Sequence, residues 1–157
     1  MTEKMESNLK YYAAEYLEAT KTLLDLIDSL RETQLDQSSS NGWTPRQVVH
    51  HLADSEAQSY ARLRRLIAEP NTSIQGYDEA KWADNPTLDY KNHDIESSIA
   101  VIKAVRQASY ELILRMDASQ LSNKGIHTES GDYSIEKWLN TYIKHPIDHA
   151  NQIRGLL

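Results

Sequence analysis

Apolar residues recur at three- and four-residue steps in four separate segments of the chain, and this pattern limits the fold more than any other feature. The first segment runs from about Glu3 to Arg31. Leu9, Tyr12, Ala13, Tyr16, Thr20, Leu23, Leu24, Ile27 and Leu30 mark its inner side. A Ser- and Asn-rich stretch from Gln34 to Gly42 then reads as a loop. The second segment has a start signal: Thr44 as cap, Pro45 at the first helical position and Gln47 to complete a capping box. Its apolar face carries Val48, Leu52, Leu63 and Leu66, with Val49 and Ile67 beside them, and it stops at Pro70.

The third segment, about Asp94 to Met116, buries Ile95, Ile99, Ile102, Val105, Leu112 and Ile113. The fourth starts at a Ser134 cap and reaches nearly to the end, with Ile135, Trp138, Leu139, Tyr142, Ile153 and Leu156 inward. Four amphipathic helices and no convincing strand predict an all-α four-helix bundle, a single domain over residues 1–157. From Pro70 to His93 the pattern fails. Such a connection is long for a compact domain, so it is expected to pack down, with Tyr77 and Trp82 as pins, or to serve a function. The two middle connections are both long, so the topology need not be simple up-down-up-down.

Composition narrows the chemistry. There is no Cys, which removes disulfides, thiolate metal sites and a cysteine nucleophile. A metal site would have to use His, Asp, Glu or water. The formal net charge of −6 argues against nucleic acid or an anionic membrane as partner. Met1 to Asn8 is polar, without the apolar core of a signal peptide, and a cytoplasmic protein is expected by default.

The strongest local motif is His145-Pro-Ile-Asp-His149. Residues four apart lie one turn apart on one side of a helix, so two imidazoles so placed can chelate one ion. At roughly 100° per residue both fall near the stripe of Trp138, Tyr142, Ile153 and Leu156. Two inward rings need polar partners or a metal, and a pair of hydrogen-bonded core histidines meets the need equally well. Pro146 removes a backbone donor, so the carbonyl of Tyr142 loses its usual partner. Either the helix bends there or a new turn begins.

In Val48-Val49-His50-His51-Leu52 the helix phase turns His51 inward, one turn before Ser55, and His50 outward to solvent. Three histidines from two facing helices would leave coordination positions open, an arrangement that suits zinc or nickel with water completing the shell. Asp148 and Gln152 flank the pair as candidates to support the ligands, with ordinary surface polarity the simpler account of Asp148. His127, in a polar stretch before the fourth helix, is a candidate for the site mouth, and a solvated loop residue otherwise. Tyr142, one turn before His145, is a candidate substrate contact and also a plain core tyrosine.

Several pieces together resemble a known family: Trp43-Thr-Pro-Arg-Gln-Val-Val-His-His-Leu-Ala-Asp-Ser-Glu56, Arg62-Leu-Arg-Arg-Leu66, Tyr77-Asp-Glu-Ala-Lys-Trp82, His127 to Gly131, and Tyr142-Ile-Lys-His-Pro-Ile-Asp-His-Ala-Asn-Gln-Ile153. They look like the DinB/YfiT-like superfamily of metal-dependent enzymes. The resemblance implies a four-helix bundle with a divalent metal, nickel or zinc, on His51, His145 and His149, a homodimer, and a small-molecule substrate. It also implies one of two chemistries: a hydrolase that activates water, or a transferase that uses a low-molecular-weight thiol such as bacillithiol. A non-catalytic, metal-stabilised binding or stress-response module is the alternative.

Overall fold

The computed structural model describes residues 2–38 and 42–157, so Ser39, Ser40 and Asn41 of the expected loop lie outside the described residues. Four long helices form where the periodicity places them: α1 (Thr2–Ser29), α2 (Pro45–Ala68), α4 (Glu96–Arg115) and α5 (Ile135–Arg154). Between α2 and α4 lie a short strand β1 (Ser73–Ile74) and a short helix α3 (Glu79–Asp84). Strands β2 (Lys124–His127) and β3 (Gly131–Ser134) precede α5. No helix among the described residues is long and apolar enough to cross a membrane.

The long connections have a topological reason. Helix α1 packs on α4 and α5, and α2 also packs on α4 and α5. Helices α1 and α2 therefore sit across the bundle from one another, as do α4 and α5, while α2 and α4 are neighbours. The Leu30–Thr44 and Met116–Ser134 spans make those crossings.

Two apolar clusters fill the bundle. One joins Tyr16, Leu63, Leu66, Ile113, Trp138 and Tyr142, and the other joins Leu23, Ile27, Val48, Leu52, Ile102 and Ile153. Trp138 is fully buried, and its indole N–H donates to the carbonyl of Ser59 at 3.1 Å. A polar pair sits among these residues. The Arg106 Nη1 lies 2.6 Å from Glu56 Oε1, and both side chains are wholly buried. Arg106 also donates to Thr20 Oγ1 at 2.6 Å and to the carbonyls of Tyr16 and Tyr142 at 3.3 and 3.1 Å. Its guanidinium carbon stands 4.0 Å from the Tyr16 ring centroid.

That last carbonyl resolves the difficulty at Pro146. Helix α5 runs through Pro146 without interruption. Proline offers no N–H to the carbonyl of Tyr142, and Arg106 supplies the missing donor from α4.

The expectation of no strand is corrected. A three-stranded sheet forms in the order β1-β2-β3, parallel then antiparallel, with Ser73 opposite Ile126 and Lys124 opposite Ser134. Its strands have two to four residues, too few to show alternation in sequence. Gly125 lets β2 approach β1, since a Cβ there would meet the Thr72 carbonyl oxygen at 2.6 Å. The sheet holds the Pro70–Tyr77 segment beside α2, and the rings of Tyr77 and Trp82 meet at 4.6 Å, tilted by 54°.

Candidate metal centre

The phase of α2 is set at its first turn. Thr44 Oγ1 accepts from the Gln47 N–H at 3.2 Å, and Gln47 Oε1 accepts from the Thr44 N–H at 3.0 Å. Arg46 ties the same turn to Asp36 and Glu32 at 2.8 and 2.9 Å. With that phase His51 points inward and is 1% exposed, its ring 5.0 Å from that of Trp43. The N-terminus of α5 is fixed in the same way by Ser134, whose hydroxyl accepts from the Lys137 N–H at 3.0 Å. His145 and His149 then follow one turn apart on the side facing α2.

The three rings converge through one nitrogen each. His51 Nε2 lies 3.2 Å from His145 Nε2, and His149 Nε2 lies 3.0 Å from the same atom. All three ligand atoms fall within 4.8 Å of one another. Nitrogens held at 2.0–2.1 Å from one ion would be about 3.3 Å apart at tetrahedral angles and about 2.9 Å apart at right angles. Both observed separations lie in that range.

Protons cannot account for this cluster as well as a cation can. His149 Nδ1 is 2.7 Å from Gln152 Oε1, an acceptor, and the tautomer that donates Nδ1–H to it leaves Nε2 with a lone pair. His145 Nε2 can donate to that lone pair or accept from His51, but not both. One close contact between neutral rings is therefore always left unpaired. A shared cation satisfies all three lone pairs at once.

Protonation is suppressed as well. Burial, and then the nearby His149, pulls His51 down to about 4. Burial, followed by His149 and His51, pulls His145 down to about 3. Both rings are neutral near pH 7, the state a ligand requires. Their Nδ1 atoms are buried and meet no hydrogen-bond partner among the described residues.

The surrounding residues sort clearly. Gln152 holds His149 in its tautomer, as a ligand support would. Asp148 does not face the cluster. It is exposed and pairs with Lys144 one turn back. His127 stands outside the triad, and its Nδ1 accepts from the Glu129 and Ser130 N–H groups at 3.2 and 3.3 Å, which shapes the turn into β3. Tyr142 is buried, with its ring 6.3 Å from that of His145, and its hydroxyl accepts from Arg62 Nη1 at 3.2 Å. Burial raises its phenol well above the ordinary value.

His50 corrects the sequence expectation. It does point away from the triad, but it is 5% exposed rather than solvated. Its Nδ1 meets Ser98 Oγ at 2.8 Å and its Nε2 meets the His93 carbonyl at 3.0 Å. The segment leading into α4 covers the face that a two-sided view of α2 left open. The sequence reading also gave no role to Arg62, whose Nη1 donates to the Tyr142 hydroxyl beside His145. Arg62 follows His51, Ser55 and Gln58 at steps of four, three and four residues on one face of α2, a signal visible in the sequence.

Comparison with known proteins gives one consistent picture. The sequence profile of the DinB superfamily matches residues 15–153. A curated protein of Oceanobacillus iheyensis, named as a candidate metal-dependent hydrolase, is 38% identical over 87% of this chain and 78% of its own. A Bacillus cereus protein with the same style of name is 28% identical over 96% of this chain and 86% of its own. Among solved structures, YfiT from Bacillus subtilis, described as a probable metal-dependent hydrolase with an unusual four-helix bundle topology, superposes with a TM-score of 0.84. It is 28% identical, with coverage of 94% of this chain and 85% of that one.

Proposed function

The chain belongs to the DinB superfamily, and from that premise we propose that it is a metal-dependent hydrolase of a small-molecule substrate, with His51, His145 and His149 as the ligands of one divalent ion. Zinc and nickel suit three neutral imidazoles best. The observation that carries the reading is the convergence of three Nε2 atoms with no fourth His, Asp or Glu in the group among the described residues. Three protein ligands and an open position are the pattern of catalytic sites, whereas purely structural sites are closed by four. When bound, the ion supplies a Lewis acid that acidifies water near neutral pH.

The chain's own residues do the rest. Gln152 fixes the tautomer of His149, so that its lone pair faces the other two rings. Trp43 packs beside His51 and shields that side of the site from bulk water. Arg62 holds the hydroxyl of Tyr142 at the neighbouring turn of α5.

The test uses protein purified without a histidine tag. Metal content is measured, and hydrolysis of a panel of small esters and amides is followed before chelation, after it, and after zinc or nickel is restored. The reading expects rates that vanish with chelator and return with metal. Rates indifferent to metal would overturn it. Metal-dependent loss of bacillithiol toward an electrophile, with no hydrolysis, would replace it with thiol transfer at the same ligands.

A further inference from the structure

Arg64 packs over the Tyr60 ring and donates to the Tyr60 carbonyl. Arg46, Arg65 and Arg106 each pair with a carboxylate. Among the described residues Arg62 pairs with none, although the chain carries a net charge of −6. Its guanidinium is held in place by two neutral oxygens: Nη2 donates to the Gln75 carbonyl at 2.7 Å and Nη1 donates to the Tyr142 hydroxyl at 3.2 Å. Among the described residues the buried Nε–H has no acceptor.

Two further donors stand near it. Among the described residues the buried hydroxyls of Tyr77 and Tyr133 meet no hydrogen-bond partner; the Arg62 charge acts on both, and Glu79 and Asp54 also act on Tyr77. His127 accepts two backbone N–H groups at Nδ1, so as a neutral ring it carries its proton on Nε2. Its ring sits 5.3 Å from that of Tyr133. Glu129, the acid on the same turn, packs over Gly76 and makes no ion pair with Arg62.

Buried donors left without acceptors, here Arg62 Nε and the Tyr77 and Tyr133 hydroxyls, cost free energy unless something supplies acceptor oxygens. Arg62 also lines a cavity of about 280 Å³ with Gln58, Arg65, Ser73 and Gln75. On its other side it touches Tyr142, whose ring packs edge-on to His145.

We propose that Arg62 is a substrate-binding residue, and that the molecule handled at the three histidines is a small acid whose anionic oxygens dock on this guanidinium. The planar fork suits a carboxylate or a phosphonate-like group, each through two parallel N–H···O bonds. The inference rests on the hydrolase reading, because it names the substrate class of that site.

The experiment compares three hydroxamates by calorimetry on zinc-loaded protein: succinic monohydroxamate, its phosphonate counterpart, and the same chain ending in a methyl group. Each chelates metal, and they differ only at the far end. The wild type is expected to bind at least one of the anionic probes about tenfold or more tightly over the neutral one. The preferred anion tells carboxylate from phosphonate. Arg62→Met should abolish the preference, so that neither anionic probe binds more tightly than the neutral one, and Arg62→Lys should restore part of it. A preference that survives in Arg62→Met, or is absent in the wild type, overturns the proposal.

A second readout does not depend on metal. In metal-free protein the Arg62 Nε–H resonance should shift saturably with succinate and not with succinamide. Binding of the neutral hydroxamate to loaded but not stripped protein tests the metal reading separately. Should that reading fail, the succinate titration still decides the role of Arg62, and an unmoved resonance refutes it.

Discussion

Replacing Arg106 by Met should be among the most damaging single changes in the core, and its cost should depend on Pro146. The substitution keeps much of the side-chain volume but leaves the fully buried Glu56 carboxylate with Ser59 Oγ, at 2.9 Å, as its remaining side-chain partner. It also strands the carbonyl of Tyr142, which Pro146 cannot serve. Breaking a buried pair by removing one partner costs about 3–5 kcal/mol, a large share of the ~5–15 kcal/mol that holds a typical domain together. For a chain of 157 residues this corresponds to a fall in Tm of roughly 6–20 °C. Pro146→Ala restores the helical N–H to the same carbonyl. In that background Arg106→Met should cost less by about 1 kcal/mol, the net worth of one hydrogen bond. Urea unfolding of the four proteins in the cycle measures both quantities. Costs that add to within about 0.5 kcal/mol, or an Arg106→Met variant within about 1 kcal/mol of wild type, would refute the account of how α5 continues through proline.

Other consequences follow from the same geometry. His50→Ala should keep its metal while losing about 1–2 kcal/mol of stability in thermal melts, since it strands Ser98 and the His93 carbonyl; loss of metal there would place the helix phase in error. Gln152→Leu should weaken metal affinity by about 10–100-fold in chelator competition, because His149 loses the partner that fixes its tautomer; an unchanged affinity would remove Gln152 from the site. Metal-free protein should lose stability on acidification. His51 is held at about 4, below its ordinary 6.5, so the unfolded chain binds the proton first and stability falls as pH drops from about 6.5 to about 4. The loss is on the order of 3 kcal/mol from His51 alone, and His51→Leu should flatten that part of the profile in urea titrations across pH.

Much of this arrangement is legible in the residues. The four long helices start and stop within about two residues of where periodicity and caps put them. Thr44, Pro45 and Gln47 form the expected capping box. Helix phase alone turns His51 inward, and the four-residue spacing brings His145 and His149 beside it. What could not be read depends on contacts between distant segments. The strands are too short to alternate, and β1 is paired by β2 some fifty residues later. His50 is buried because the His93–Ser98 segment folds over it, not because of its place on α2's apolar stripe. Arg106 and Ser109 occupy the inner face of α4 between Ile102 and Ile113, where a hydrophobic count expects apolar side chains. For Arg106 the placement is made tolerable by partners on other helices, Glu56 above all, with Thr20 and the carbonyls of Tyr16 and Tyr142.

The central claim is that three imidazoles from two helices share one ion, and metal analysis of tag-free protein tests it most directly. Wild type and His50→Ala should each carry a single divalent ion per chain, and His51→Ala, His145→Ala and His149→Ala should each lose most of it. A wild type that stays empty in the presence of zinc and nickel, or triad variants that retain full occupancy, would contradict it.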